Sequence, residues 1–90
     1  MSVRVQLPPI LRASAGARVL EAEGSSIAAV MANLTKAHPP LALHLFDEQG
    51  AIRHNIVFLH GGEMIRARDA GARQIKPGDE IVITNALAGG

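Results

Sequence analysis

Residues 25–37, SSIAAVMANLTKA, contain the clearest structural signal in the chain. Their large apolar residues recur with helical spacing, at Ile27, Val30, Met31 and Leu34. Ser25 and Ser26 are good N-cap residues at the start of this pattern. Residues that precede proline disfavour helical geometry, so His38, which precedes a double proline, marks the end of the helix near Ala37. The stretch predicts one amphipathic helix that buries a single stripe.

Two strands are predicted before this helix. Residues 3–7 alternate between apolar and polar side chains, a pattern typical of a half-buried strand. Pro8 and Pro9 then remove two backbone donors and end the strand. A loop through residues 13–16 leads to a second short strand over residues 18–22, which we expect to return toward the first as a hairpin with a long connection.

After the helix, residues 41–46 are predicted to form a brief helical turn or an irregular segment that closes one end of the core. Three strands are predicted to follow, over residues 54–60, 63–66 and 80–84. Gly61 and Gly62 predict a tight turn between the first two of these strands, and residues 77–79, Pro-Gly-Asp, predict another before the last strand. The order strand, strand, helix, strands indicates an α+β fold. A hairpin, one main helix on one face of a mixed sheet and a last strand near the first is the β-grasp (ubiquitin-like) arrangement. We assign residues 1–84 to this domain and residues 85–90 to a flexible C-terminal tail.

Composition narrows the possible functions. Ninety residues fit a single domain, and 48% hydrophobic residues with 19% charged residues indicate a soluble globular protein. A net charge of +1 with two Phe, no Trp and no Tyr gives no case for nucleic acid or for a membrane surface. No apolar run approaches the roughly 20 residues that a membrane helix needs. The absence of cysteine excludes disulfides and thiolate chemistry, which favours a cytoplasmic location.

The polar residues of the sequence predict no metal or catalytic site. The four histidines show neither the spacing nor the carboxylate companion expected of a metal site, so no metal is predicted; they are His38, His44, His54 and His60. Asp79 and Glu80 lie at a turn, where solvated acids are usual. A basic patch of Arg66, Arg68 and Arg73 is possible, but a solvated face is favoured because acids nearly balance the bases.

Residues 56–59, Ile-Val-Phe-Leu, are apolar on both faces of a predicted strand. We expect Phe58 to face the core. The opposite face is either covered by residues 41–46 or exposed for docking on a partner. In the second case Val57 and Leu59 are the docking candidates, and Val82 would extend the surface toward the tail.

The last residues, GDEIVITNALAGG at 78–90, join a turn and a strand to a small uncharged tail that ends in Gly89 and Gly90. Together with residues 3–12 and the helix, this ending resembles the ubiquitin-like sulfur-carrier proteins. That family includes the small subunit of molybdopterin synthase and the carriers of thiamin and cysteine biosynthesis. The resemblance covers nearly the whole chain, and its specific part is the last fifteen or so residues.

The resemblance implies chemistry at Gly90, reached through a tail that contains Leu87, Ala88 and Gly89. The Gly90 carboxylate, ionised at neutral pH, would be adenylated with ATP by an activating enzyme related to the E1 enzymes, and the acyl adenylate converted to a thiocarboxylate. The chain would be a protein co-substrate with no cofactor and no catalytic residue of its own. Six extended residues reach roughly 20 Å, enough to place Gly90 deep in a partner.

Residues 7–12 and the Ala-Gly-Gly ending look most like the cysteine-biosynthesis carriers. Those carriers work with a pyridoxal-phosphate cysteine synthase, which accepts the sulfur, and with a metal-dependent peptidase, which releases the product. Three alternatives stay open: a small subunit of molybdopterin synthase, a protein modifier joined through Gly90 to lysines, and a β-grasp interaction domain with an idle tail.

Overall fold

The computed structural model describes residues 2–85, and they form one five-stranded mixed sheet with three helices. The strands are β1 Val3–Gln6, β2 Val19–Ala22, β3 Ile56–His60, β4 Glu63–Arg66 and β5 Glu80–Asn85. The helices are α1 Pro9–Ala15, α2 Ile27–Ala37 and α3 Ala42–Leu45, and short 3-10 turns span Pro39–Leu41 and Ala67–Asp69. None of the helices within residues 2–85 is long and apolar enough to cross a membrane.

The strand order β2-β1-β5-β3-β4 places the last strand at the centre of the sheet. β5 runs parallel to β1, with Val5 opposite Ile81, and antiparallel to β3, with Ile83 opposite Phe58. The other two pairs, β1 with β2 and β3 with β4, are antiparallel. This arrangement confirms the mixed sheet and the pairing of the first strand with the last. β5 ends at Asn85, one residue beyond the predicted strand.

Helix α2 packs its predicted stripe against one face of the sheet. Ile27, Val30, Met31 and Leu34 are all buried in the core cluster. The Ser26 side chain accepts a hydrogen bond from the backbone N–H of Ala29 at 3.1 Å, which confirms the N-cap. Gly24 lies so close to α2 that a Cβ placed there would be 2.6 Å from the backbone nitrogen of Val30, so the approach of β2 to the helix requires glycine.

The loop predicted through residues 13–16 is wrong, because residues 9–15 form helix α1. Pro9 occupies the first helical position, where its missing N–H costs nothing and its fixed φ favours the helix. Gly16 ends α1 in the left-handed conformation, φ +73°, and donates its N–H to the Arg12 carbonyl at 2.8 Å. Leu11 is 2% exposed and anchors α1 to the core. The two prolines therefore start a helix as well as ending a strand.

The segment between α2 and β3 closes one end of the core, as predicted. Leu41 and Leu45 are fully buried in the same cluster as the α2 stripe, and Phe46 packs against it. These contacts place residues 41–46 on the helical side of the sheet. The alternative in which this segment covers the opposite face is therefore wrong, and that face lies outside the core cluster.

Candidate functional site

The predicted reactive residues lie outside the described part of the chain, at Leu87, Ala88, Gly89 and Gly90. The structure nevertheless locates the point from which they follow. β5 is flanked by β1 and β3, and its last residue, Asn85, pairs with Ile56. We call this end of the sheet, where β1 and β5 end and β3 begins, the exit end.

The face of the sheet that points away from α2 carries a set of exposed apolar side chains. Because successive residues of a strand alternate in direction, Leu59 and Val82 lie on the face opposite Phe58 and Ile83. Leu59 pairs with Val82 on one side and with Met64 on the other. Leu59 is 38% exposed and Met64 is 65% exposed, whereas Val82 is half-buried. We call Leu59, Met64 and Val82 the outer patch.

Phe58 faces the core, as predicted, and is completely buried. Val57 lies on the outer face but is 1% exposed, between Thr84 and Arg66 on the neighbouring strands. The Thr84 hydroxyl donates to the Val57 carbonyl at 3.0 Å, just before β5 ends. The predicted docking residues thus separate: Leu59 and Val82 present surface, and the Val57 side chain offers almost none.

Met64 was missed in the sequence although its signal was present. The short strand Glu63–Arg66 buries Ile65, so the neighbouring positions must point to the other face. An apolar residue at such a position on an edge strand is exposed unless another element covers it. Alternation within this strand, read as for β3, would have added Met64 to the docking candidates.

A polar network at the opposite end of the sheet joins the β3–β4 hairpin to the start of β5. His60 Nε2 lies 2.9 Å from Asp79 Oδ2, and Arg73 Nε donates to His60 Nδ1 at 2.9 Å. Because Nδ1 accepts this hydrogen bond, the neutral ring carries its proton on Nε2 and donates it to Asp79. Arg73 also donates to the His60 carbonyl, at 3.2 Å, and to Glu63.

This network corrects two sequence-based interpretations. His60 does have a carboxylate partner, Asp79. Asp79 accepts hydrogen bonds at the end of its turn and is not merely a solvated acid. The hydrogen bond from His60, followed by that from the Lys76 N–H at 3.0 Å, lowers the pKa of Asp79 below its ordinary value. Within residues 2–85, no three His, Cys, Asp or Glu side chains come together in a group that could hold a metal ion. The network fixes the Gly61-Gly62 turn, whose residues both have positive φ.

The three arginines considered as a basic patch do not lie together. Arg73 binds His60 and Glu63 at the turn between β3 and β4. Arg66 is at the other end of β4, and Arg68 follows it in the next turn, where its Nε is 3.9 Å from Asp69. β4 spans four residues, or about 10 Å between its ends.

Comparison with known proteins identifies the family. Residues 5–90, nearly the whole chain, match the ThiS family model. The chain belongs to the ThiS family. No curated protein sequence matches it significantly.

Solved structures similar to this ThiS family chain share the ubiquitin-like β-grasp fold of sulfur carriers and modifiers. SAMP1 from Haloferax volcanii is 25% identical over 100% of both chains, with a TM-score of 0.84. A chain of the Amycolatopsis orientalis BexX/CysO complex is 27% identical, covering 98% of this chain and 99% of that chain, with a TM-score of 0.78. CysO from Mycobacterium tuberculosis is 26% identical over 93% of this chain and 98% of its own, with a TM-score of 0.77. Small carriers of the ThiS kind are generally not catalytic.

Proposed function

We propose that this protein is a sulfur carrier whose Gly90 carboxylate is activated by a partner enzyme and converted to a thiocarboxylate. The observation that carries the proposal is the ThiS family match, which extends through the Gly-Gly pair to residue 90. The chain contains no cysteine, so it has no side-chain thiol that could carry sulfur instead. The described polar residues offer no alternative centre: the best connected of them, His60 and Asp79, are engaged in holding a hairpin.

The reaction would proceed in two displacements. A Gly90 carboxylate oxygen attacks the α-phosphate of ATP in the activating enzyme and releases pyrophosphate, which leaves an acyl adenylate. Hydrosulfide then attacks the acyl carbon and displaces AMP, so that one oxygen of the original carboxylate leaves with AMP and sulfur takes its place. Glycine at both terminal positions suits this reaction because, without a Cβ, it permits close approach of nucleotide and enzyme backbone.

The outer patch is the surface that we propose for docking on the activating enzyme. Leu59 and Met64 expose apolar area on the two strands that lie on one side of β5, and β5 leads from Val82 toward the tail. Exposed apolar side chains that cluster on a monomer surface commonly mark interaction sites. A partner that covers this face would therefore receive the tail without a change in the fold of the carrier.

The thiocarboxylate is tested directly by intact mass. The chain is incubated with its activating enzyme, ATP and sulfide, and the mass must change by the replacement of one oxygen with one sulfur. The matched control lacks Gly89 and Gly90: we expect it to melt at the same temperature and to form neither adenylate nor thiocarboxylate. The proposal would be refuted if the mass of the full chain stayed unchanged while the same enzyme preparation thiocarboxylated a carrier on which it is known to act.

For the sulfur acceptor we propose a pyridoxal-phosphate cysteine synthase. The support is the sequence resemblance of residues 7–12 and of the Ala-Gly-Gly ending to cysteine-biosynthesis carriers, and the similarity to two structures named CysO. The thiocarboxylated chain is mixed with the synthase and its amino-acid substrate, and a covalent adduct of carrier and cysteine is sought by mass. If the adduct forms with a molybdopterin synthase large subunit instead, the small-subunit alternative holds.

A protein modifier is the second candidate, because the full-length similarity to SAMP1, a small archaeal modifier protein, has a TM-score of 0.84. A modifier would be joined through Gly90 to lysine amines of other proteins. Denaturing electrophoresis separates the two functions. Carrier chemistry leaves the free chain as the product, whereas modification gives larger species that resist denaturation and yield a Gly-Gly remnant on lysine after digestion.

A further inference from the structure

A groove lies at the exit end of the sheet, between α1, α3 and the segment that leads into β3. It has a volume of about 180 Å³, and its lining residues are Pro8, Ile10, Leu11, His44, Arg53, Asn55 and Ile56. We call it the exit groove. Ile56 is the strand partner of Asn85, so the groove adjoins the place where the described chain ends. The outer patch is on a different surface, the face of the sheet turned away from α2.

One exposed apolar side chain lines the exit groove, and another lies in the helix α3 beside it. Ile10, in the first turn of α1, is 66% exposed, although its neighbour Leu11 is buried. Leu43, in α3, is 77% exposed, and its carbonyl accepts a hydrogen bond from Arg53 Nε at 3.0 Å. These two residues belong to short helices in which the other leucines, Leu11 and Leu45, are buried and anchor the helix to the core. Both side chains therefore bury only a minor part of their surface in the free protein.

The ionisable side chains that line the groove are all basic. Arg53 and His44 are the ionisable residues of its lining, and among the described residues no aspartate or glutamate lines it. Three more arginines lie at the same end of the sheet: Arg12 donates to the Leu7 carbonyl, the Arg18 carbonyl accepts from the Leu7 N–H just before β2, and Arg66 is the strand partner of Val57. The acids of the strands lie at the opposite end, at Glu21, Glu63 and Glu80. The glutamates of the strands therefore lie away from the exit groove and from the arginines beside it.

We propose that the exit groove is a second docking site, which recognises a partner segment that presents a carboxylate next to an aliphatic side chain. Arg53 uses Nε to hold the Leu43 carbonyl, which leaves its two terminal nitrogens to donate to a carboxylate. Ile10 supplies the apolar contact beside it. The proposal rests on the proposed function only for its choice of partner, the enzyme that receives the tail.

A protein segment fits the groove better than a nucleic acid. Binding of single strands relies on exposed rings for stacking, and the two aromatic residues, Phe46 and Phe58, are half-buried and buried. A phosphate backbone would pair with Arg53 but would leave the Ile10 side chain in water. An acidic, aliphatic segment uses both features of the groove.

The groove is tested with a synthetic probe, acetyl-Glu-Leu-Glu-Leu-amide, titrated into the isotope-labelled full chain and followed by NMR. Amide shifts should move at Ile10, His44 and Arg53 and stay fixed at Met64. The same peptide with Gln in place of Glu should bind about tenfold more weakly, as expected when a charge-assisted hydrogen bond is lost. No shift change at the groove, or equal binding of both peptides, overturns the proposal. So does an oligonucleotide that binds there while the acidic peptide does not.

Two variants of Arg53 separate charge from structure. Arg53→Gln and Arg53→Lys both remove the Nε bond to Leu43, but only Lys keeps the cation. We expect Gln to weaken peptide binding about tenfold and Lys to recover part of that loss, because Lys keeps the positive charge but cannot donate two parallel hydrogen bonds as a guanidinium does. Lys76→Gln, an exposed cation at the opposite end, is the control and should bind like the unaltered chain. Equal loss in Gln and Lys would overturn the electrostatic part of the proposal.

The activating enzyme supplies an independent measurement. In ATP–pyrophosphate exchange, Arg53→Gln should raise the KM for the carrier and leave kcat unchanged, since the groove binds and does not react. A chain that binds the peptide at the groove but never becomes thiocarboxylated would refute the proposed function and leave the groove intact. A chain that is thiocarboxylated with the same KM in both Arg53→Gln and the unaltered protein would refute the groove as a docking site.

Discussion

Phe58 and Leu59 are neighbours on β3 with opposite roles, so the same substitution at each should have opposite consequences. Phe58 is fully buried against α2, and Phe58→Asp both empties the centre of the core and places an unpaired carboxylate there. Truncation of a buried phenylalanine alone costs about 3–5 kcal/mol, and an unpaired buried charge costs several kcal/mol more. A chain of 90 residues has a free energy of unfolding of about 5–13 kcal/mol, so Phe58→Asp should be unfolded.

Leu59→Asp should instead fold and fail to dock. Leu59 is 38% exposed, so it retains roughly two-thirds of the 1.5–3 kcal/mol that full burial of a leucine contributes, or about 1–2 kcal/mol. At about 4–8 °C per kcal/mol for a domain of this size, the melting temperature should fall by about 4–16 °C. Loss of an interface anchor costs about 2 kcal/mol of binding, which corresponds to a KM for the activating enzyme about 30-fold higher.

Circular-dichroism melts of both variants, followed by pyrophosphate exchange with the activating enzyme, measure these effects. Met64→Asp is the matched control on the same face: it is more exposed, at 65%, and should melt closer to the unaltered chain while also raising KM. A folded Phe58→Asp variant would refute the assignment of the core face. Folded Leu59→Asp and Met64→Asp variants with unchanged KM would refute docking through the outer patch.

Three further predictions concern the fold. The pKa of Asp79 is lowered in the folded state, so its carboxylate stabilises the fold above its ordinary pKa of 3.8, and this contribution is lost as the pH falls through the lower folded value. In Asp79→Asn, the free energy of unfolding should therefore depend less on pH below about pH 4, which a pH titration of that free energy measures. Gly24→Ala should lower the free energy of unfolding in urea by about 1–3 kcal/mol, because the new methyl group would clash with the backbone of Val30. Gly50→Ala is the control: the space around Gly50 is open, so that variant should lose only the stability that a positive φ costs an alanine. Ser26→Ala should cost about 1 kcal/mol in the same assay and Ser26→Asp little, since Asp also caps the Ala29 N–H; equal losses in the two would exclude the cap.

The sequence alone determined the elements whose information is local. Helix α2 was predictable because its buried residues repeat with the period of a helix and a capping serine precedes them. Phe58 could be assigned to the core because the chain has only two aromatic side chains with which to fill the space between sheet and helix. The Gly-Gly ending pointed to carrier chemistry through its resemblance to a family. Helix α1 was missed because Pro8-Pro9 is compatible with two local outcomes, and the buried position of Leu11 selects the helix.

Tertiary structure alone decided which residues from distant parts of the chain share a surface. The register of β3 between β4 and β5 places Leu59 beside Met64 and Val82. Val57 and Leu59 are both apolar and share the outer face, but the same register leaves Val57 buried and Leu59 exposed. The pairing of His60 with Asp79 depends on the same register, whereas Arg12 and Arg53 reach the exit end through their hydrogen bonds to the Leu7 and Leu43 carbonyls. The spacing of apolar residues specifies which face of one strand is apolar. Which strands pair, and in which register, depends on bringing together segments that are far apart in the chain, and no local pattern encodes that.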